Sequence, residues 1–231
     1  MSRNVRLACA LLAALYFTGG ASAHDGAHAA KSAAPTGPSS AFAFPLPEPG
    51  SYRLPPIRAA AGGDVLTEEG KSADLAELLN GRITVFSFIY TRCADICPIA
   101  TMQLAELREL ARRIPGVSER MQLASMSFDP DHDTAPVMAE YADNWRDAGE
   151  ESPQWLFLTA PDQAALRPVL DAYGQAIAPD PEAAGRLNHI LRVFLIDEAG
   201  VVRNIYSMDF LDPQLVLGDI RTLIGDGVRT D

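Results

Sequence analysis

The chain has 231 residues, of which 48 % are hydrophobic and 21 % are charged, and its net charge is −11. This acidity argues against a nucleic-acid-binding protein, because such proteins need basic surfaces that neutralise phosphates. A chain of this length can bury a complete hydrophobic core, so its three cysteines are not needed as structural staples.

Residues 1–23 have the three parts of a secretory signal peptide. Arg3 and Arg6 supply the positive end, residues 7–17 are apolar, and residues 21–23 form a small-residue cleavage site. The apolar stretch is shorter than the roughly 20 residues that span a bilayer comfortably. We therefore expect cleavage before His24 and export to the periplasm, an oxidising compartment. An uncleaved segment would instead anchor the protein to the membrane.

The remaining chain divides into a leader, a globular domain and a short tail. Loss of the two signal-peptide arginines and of no acidic residue changes the net charge from −11 to −13. Residues 24–49 are rich in Ala, Ser, Gly and Pro and show no helical or strand period, which predicts a flexible leader. We expect one globular domain over residues 50–225 and a C-terminal tail over residues 226–231.

The globular part alternates strand-like and helix-like segments. Runs of β-branched and aromatic residues predict strands over residues 83–89, 121–128 and 155–158. Apolar spacing and capping residues predict helices over residues 74–80, 98–113, 134–147, 162–173 and 213–223. Two apolar runs, 191–196 and 201–206, flank a four-residue turn and predict a β-hairpin. This order predicts a thioredoxin-like α/β domain with a central mixed sheet flanked by helices.

Two cysteines lie at the junction between the first predicted strand and the helix that follows it. Cys93 and Cys97 follow the strand over residues 83–89, whereas the third cysteine, Cys9, lies in the signal peptide. Open α/β sheets place their sites at the carboxyl ends of strands, and a helix N-terminus favours the thiolate. The pair could form a disulfide, exchange one or bind a soft metal, and the spacing allows each of these.

A metal site needs a further ligand, and histidine is the usual one. The mature chain holds His24, His28, His132 and His189. In a thioredoxin-like fold the loop before the hairpin faces the active-site helix, so we expect His189 to approach Cys97 despite the 92 residues between them. Two thiolates and an imidazole suit Cu(I) and also accommodate Cu(II). His132 is expected at the surface, and a Cu(II) chelate formed by His24, His28 and the new amino terminus is a secondary hypothesis.

Three segments, in the same order, resemble signatures of the Sco/SenC family. Residues 90–98 resemble its copper-binding loop, residues 127–134 resemble its second signature, and Asn188–His189 is similar to its histidine segment. The resemblance covers about residues 48–225. One departure is Ala94, which stands where the family usually has proline and leaves the loop less rigid.

This resemblance implies a thioredoxin-like domain that binds copper, as Cu(I) or Cu(II), through Cys93, Cys97 and His189. It further implies a non-enzymatic chaperone that delivers copper to a cuproenzyme, with the dinuclear copper site of cytochrome c oxidase as the expected recipient. The expected partners are an oxidase subunit and a thiol reductant protein, and not nucleic acid. The alternative is a thiol–disulfide oxidoreductase that reduces the cysteines of a copper-receiving protein, so whether the chain is an enzyme stays open.

Other chemically capable residues have structural interpretations. Asp129 and Asp133 could shape the site, but we favour a turn role for the first and a helix-start role for the second. Met102 and Met126 could ligate copper, but their positions favour packing in the core. Two tryptophans, Trp145 and Trp155, are expected to pack there as well.

Overall fold

The computed structural model describes residues 45–94, 96–146, 149, 151–183 and 185–228. The predicted signal peptide and the leader as far as residue 44 lie outside the described residues, as do the last three residues of the tail. Within the described ranges, none of the helices has the length and apolarity needed to cross a membrane.

Ten strands are found in the described part of the chain. They are β1 (Arg58–Ala59), β2 (Asp64–Thr67), β3 (Ser72–Asp74), β4 (Ile83–Ile89), β5 (Met121–Ser127), β6 (Gln154–Thr159), β7 (Ala178–Pro179), β8 (Leu187–Asn188), β9 (Val193–Ile196) and β10 (Val201–Tyr206). Eight of them form one mixed sheet in the order β1-β10-β9-β4-β5-β6-β2-β3, and β7 and β8 form a separate hairpin.

Five α-helices and a short 3₁₀ turn connect these strands. The helices are α1 (Leu75–Leu79), α2 (Ile96–Arg112), α3 (Ala135–Asp143), α4 (Gln163–Tyr173) and α5 (Pro213–Val228), and the 3₁₀ turn spans Met208–Phe210. The described residues thus form the predicted α/β arrangement of a mixed sheet with flanking helices.

The centre of the sheet is buried on both faces. Every residue of β4 and β5 is buried, and the two strands run parallel, with Ile83 opposite Met121 and Ile89 opposite Ser127. Strand β9 pairs antiparallel on the other side of β4. Because helices cover both faces, apolar residues predominate in these strands, and the polar residues within them, such as Ser87 and Gln122, are buried as well. The rigid centre fixes the position of the loop that leaves β4, which carries the cysteines.

Two apolar clusters fill the two sides of the sheet. One cluster joins α2 to α5, with Leu104 and Ile220 among its fully buried members. The other joins α1 to α4, with Leu75 and Leu166. The second cluster also contains the aromatic residues that line the cysteine loop, so the loop is continuous with the core.

The predicted elements are present, with differences at their ends. The helix predicted to start at residue 98 begins at Ile96, so Cys97 lies in its first turn. The helix predicted over residues 134–147 ends at Asp143, and the last helix continues to Val228. The short strands β1, β2, β3, β7 and β8 were not predicted.

Of the side chains expected in the core, one is not there. Met126 and Trp155 are buried and Trp145 packs against the α2–α5 cluster, which confirms those predictions. The prediction for Met102 is wrong, because its side chain is 60 % exposed on the outer face of α2. Its near-helical spacing with Leu104 and Leu107 did not place it on their face of the helix.

Candidate metal centre

Both cysteines lie at the carboxyl end of β4 and are buried, with 7 % of Cys93 and 1 % of Cys97 exposed. The Cys93 N–H donates to the carbonyl of Tyr90 at 3.1 Å, which closes a turn directly after the strand. The Cys97 N–H, in the first turn of α2, then donates to the Cys93 Sγ at 3.4 Å. A helix N-terminus thus faces the first sulfur, and this arrangement stabilises negative charge there.

The two sulfurs are not joined as a disulfide in the described part of the chain. Burial, followed by the hydrogen bond with Cys93, raises the pKa of the Cys97 thiol. A ligand that needs the thiolate must therefore displace a proton from this site.

His189 directly follows β8 and approaches Cys97 from a segment other than the loop and helix that carry the cysteines. Its Nε2 lies 3.7 Å from the Sγ of Cys97, across 92 residues of sequence. Its Nδ1 lies 3.3 Å from the carbonyl of Leu187, and this acceptor favours the tautomer with a proton on Nδ1 and a lone pair on Nε2. The expected approach of His189 to the cysteines is therefore present in the structure.

Two aromatic rings hold the imidazole of His189 in place. The ring of Phe128 lies 4.9 Å from it, centroid to centroid, and the ring of Tyr90 lies 5.8 Å away in an edge-to-face arrangement. Both rings come from the ends of adjacent parallel strands. Neither residue was expected at the site from the sequence, although each directly follows a buried strand.

A buried carboxylate attaches the cysteine loop to the loop after β5. The carboxylate of Asp133 accepts hydrogen bonds from the backbone N–H of Thr91 at 2.9 Å and from the hydroxyl of Ser127 at 2.6 Å. The Thr91 hydroxyl also donates to it. The predicted helix-start role of Asp133 is therefore wrong. Thr134 occupies the N-cap position of α3, in an extended conformation and without a side-chain capping bond.

Asp129 makes a second link between the same two loops. Its carboxylate accepts a hydrogen bond from the guanidinium of Arg92 at 2.6 Å. His132 is exposed, as predicted, and its Nδ1 lies 2.8 Å from Asp133. Polar atoms of Asp129, His132 and Asp133 lie within 4.8 Å of one another. The two carboxylates are already engaged by Arg92 and Thr91, so this cluster holds the loops together.

The donors that converge at the cysteines fit a soft metal ion. Two buried thiols and one half-buried imidazole, whose Nε2 lies 3.7 Å from the Sγ of Cys97, supply sulfur and nitrogen donors and no hard oxygen ligand. Thiolate and imidazole sets of this kind suit Cu(I) and, with the nitrogen present, Cu(II). His24 and His28, the other proposed copper ligands, lie outside the described residues.

Comparison with known sequences agrees with the resemblance seen in the motifs. A family model described as SCO1/SenC matches residues 64–225. The SCO1 protein homolog of Bacillus subtilis (strain 168) is 26 % identical over 140 residues, which cover 61 % of this chain and 69 % of the relative.

Solved structures share the fold at low sequence identity. Arabidopsis thaliana ScoI with copper bound has a TM-score of 0.63 and 20 % identity, covering 73 % of this chain and 99 % of that one. BsSco, described as a member of the Sco family of cytochrome c oxidase assembly proteins with a disulfide switch, has a TM-score of 0.57 and 24 % identity, covering 73 % and 95 %. The likeness shows the thioredoxin-like fold that was predicted.

Proposed function

Because this chain belongs to the SCO1/SenC family, we propose that it is a copper chaperone that binds one copper ion through Cys93, Cys97 and His189. The observation that carries the proposal is the 3.7 Å approach of the His189 Nε2 to the Cys97 Sγ. This contact brings a thiol and an imidazole from segments far apart in sequence into one donor set. Such a set suits a soft metal ion.

The proposed site holds copper by displacing the thiol protons and is closed by oxidation of the cysteines. Both thiols must be reduced and deprotonated to ligate the ion. A disulfide between Cys93 and Cys97 removes both sulfur donors at once. The redox state of the pair therefore decides whether copper is held or released, and a thiol reductant protein would restore the binding form.

The recipient that we propose is a cuproenzyme, namely the dinuclear copper site of cytochrome c oxidase. The description of the related BsSco as a cytochrome c oxidase assembly protein supports this choice. We place the chain in the periplasm after removal of residues 1–23, with a leader over residues 24–49, a domain over residues 50–225 and a tail over residues 226–231. An uncleaved signal segment would tether the same domain to the membrane.

The proposal is tested by anaerobic titration of the reduced protein with copper, followed by metal analysis and ultraviolet–visible absorption. We expect about one tightly bound copper per chain, together with a thiolate-to-Cu(II) charge-transfer band when Cu(II) is used. His189→Ala should abolish the band and weaken binding strongly. His132→Ala, which removes the exposed imidazole of the neighbouring cluster, should titrate like the wild type. Absence of tight copper in the wild type, or an unchanged titration of His189→Ala, would overturn the proposal.

A second candidate function is thiol–disulfide exchange, favoured by the hydrogen bond from the Cys97 N–H to the Cys93 sulfur. The Cys93 thiolate would attack an acceptor disulfide to form a mixed disulfide. Cys97 would then attack Cys93, which releases the reduced acceptor and leaves the pair oxidised. This reaction does not use His189. Retention of reductase activity in His189→Ala, with no tight copper in the wild type, would favour exchange over copper delivery.

A further inference from the structure

The imidazole of His189 is carried by a part of the molecule that lies outside the main sheet. Strands β7 and β8 pair with each other through two residue pairs, Ala178 with Asn188 and Pro179 with Leu187. A two-stranded hairpin has little stability of its own and needs contacts with the rest of the domain. The position of His189 therefore depends on the contacts that attach this hairpin.

One of these contacts comes from the residue directly before Cys93. A β-carbon added to Gly185, in the loop between β7 and β8, would lie 3.3 Å from the Nη1 of Arg92, so the guanidinium packs directly on this glycine. Gly185 has a φ of +79°, a conformation that side chains other than glycine adopt at a cost. The backbone of the hairpin can approach the guanidinium closely because no side chain stands between them.

The other side of the same guanidinium is fixed by Asp129. The 2.6 Å ion pair joins Arg92 to the loop after β5, and the Asp129 side chain is largely buried. Arg92 therefore lies between a fixed carboxylate and the hairpin. A second, longer contact joins β8 to the cysteine loop. The Leu187 N–H donates a hydrogen bond to the Tyr90 hydroxyl at 3.4 Å.

We propose that Arg92 is a positioning residue for His189, which holds the β7–β8 hairpin so that the imidazole meets the cysteines. This inference rests on the proposed function, because Arg92 would act on the copper site only by positioning His189. The planar guanidinium can pair with Asp129 and present a flat surface to Gly185 at the same time, whereas a lysine ammonium cannot do both. Because the Arg92 side chain is 42 % exposed, its ion pair contributes little to overall stability, and its effect is local.

The first test measures amide hydrogen exchange in the reduced, metal-free protein. Arg92→Gln should increase exchange at residues 185–189 several-fold and leave the melting temperature unchanged, because local opening is separable from global unfolding. Arg92→Lys should show an exchange rate at residues 185–189 between those of the wild type and Arg92→Gln. The matched control is Arg120→Gln, which removes a comparable ion pair, Arg120 with Glu198 at 2.8 Å, outside the cysteine and hairpin loops. Unchanged exchange in the hairpin of Arg92→Gln would overturn the inference.

The second test is a double-mutant cycle on copper affinity. Arg92→Gln should weaken binding roughly tenfold in the wild-type background and have no further effect in the His189→Ala background, as expected for two residues that act through one contact. An equal loss in both backgrounds would mean that Arg92 acts on the cysteines, and would overturn the inference. If the wild type binds no copper, the proposed function fails, and the exchange experiment still decides whether Arg92 holds the hairpin.

Discussion

At the scale of single residues, the carboxylate of Asp133 joins the two loops that surround the cysteines. It is fully buried and accepts hydrogen bonds from Thr91, two residues before Cys93, and from Ser127 at the end of β5. A buried carboxylate is stabilised when several donors surround it. The same contacts fix the backbone of the cysteine loop in the absence of metal.

Replacement of this carboxylate should destabilise both the fold and the site. Asp133→Ala leaves the Thr91 N–H and the Ser127 hydroxyl without their acceptor, and we expect the free energy of unfolding to fall by about 2–4 kcal/mol. Urea unfolding of the reduced, metal-free protein measures this loss. Asp131→Ala is the matched control, because Asp131 lies in the same loop but is exposed and accepts a bond from Gln163. Equal losses in the two variants would contradict the assigned role.

The sequence predicted the approach of His189 to the cysteines but not the residues that hold these side chains. Cys93 and Cys97 follow a predicted strand and His189 precedes the predicted hairpin, so this approach could be anticipated. Asp133 precedes a helix, and an aspartate in that position has the same local sequence whether it caps the helix or binds Thr91, 42 residues away. Local sequence cannot separate these two roles, because the difference lies in a tertiary contact.

At the scale of secondary-structure elements, the two faces of α2 have different roles. Leu104 and Leu107 are buried against the sheet and α5, whereas Ile99 and Met102 are exposed on the outer face. The hydrophobic character of Met102 therefore contributes little to folding.

Substitutions on the two faces should have unequal effects on stability. Met102→Gln should change the free energy of unfolding by no more than about 0.5 kcal/mol, as is usual for exposed positions. Leu104→Ala should lower it by about 2–5 kcal/mol, because it leaves a cavity in the core. Thermal or urea unfolding distinguishes the two. A loss above about 1 kcal/mol in Met102→Gln would mean that this side chain is packed after all.

Among the elements, length decided what could be predicted from sequence. Strand β4 was predicted with its bounds unchanged, because six of its seven residues are apolar or β-branched and leave few alternatives. Strands β1, β7 and β8 have two residues each, too few for any period to be visible. They exist because a neighbouring segment supplies hydrogen-bond partners, as when Arg58 and Ala59 pair with β10. The hairpin that carries His189 belongs to this group.

At the scale of the whole domain, the segment before β1 is fastened to the last helix. The carboxylate of Asp219 in α5 accepts hydrogen bonds from the hydroxyls of Tyr52 and Tyr206, both at 2.6 Å, and from the amide of Asn204 at 2.8 Å. Nearby, the Gly50 N–H donates to the hydroxyl of Thr222. This network joins the start of the described chain to β10 and α5.

The same network predicts a loss of stability in alkali. Burial, together with the hydrogen bond to Asp219, raises the pKa of Tyr52 to about 12, and burial also raises the pKa of Tyr206. In the unfolded chain a tyrosine titrates near 10, so between these values the unfolded state binds fewer protons than the folded state. The stability that the protonated hydroxyl contributes is therefore complete below about pH 10 and is lost as the pH rises through about 12.

We expect the urea concentration at the unfolding midpoint, measured between about pH 8 and pH 12, to decrease above about pH 10. In Tyr52→Phe the midpoint should be lower at neutral pH but decline less steeply above about pH 10, because one titrating group is gone. Part of the slope remains, because burial also raises the pKa of Tyr206 and of other tyrosines such as Tyr173. Leu54→Ala is the control, since it removes a buried contact of the same segment and no titratable group, so its midpoint should be lower with an unchanged slope. If Tyr52→Phe declined as steeply as the wild type, the hydroxyl of Tyr52 would not be the group that links this segment to alkaline unfolding.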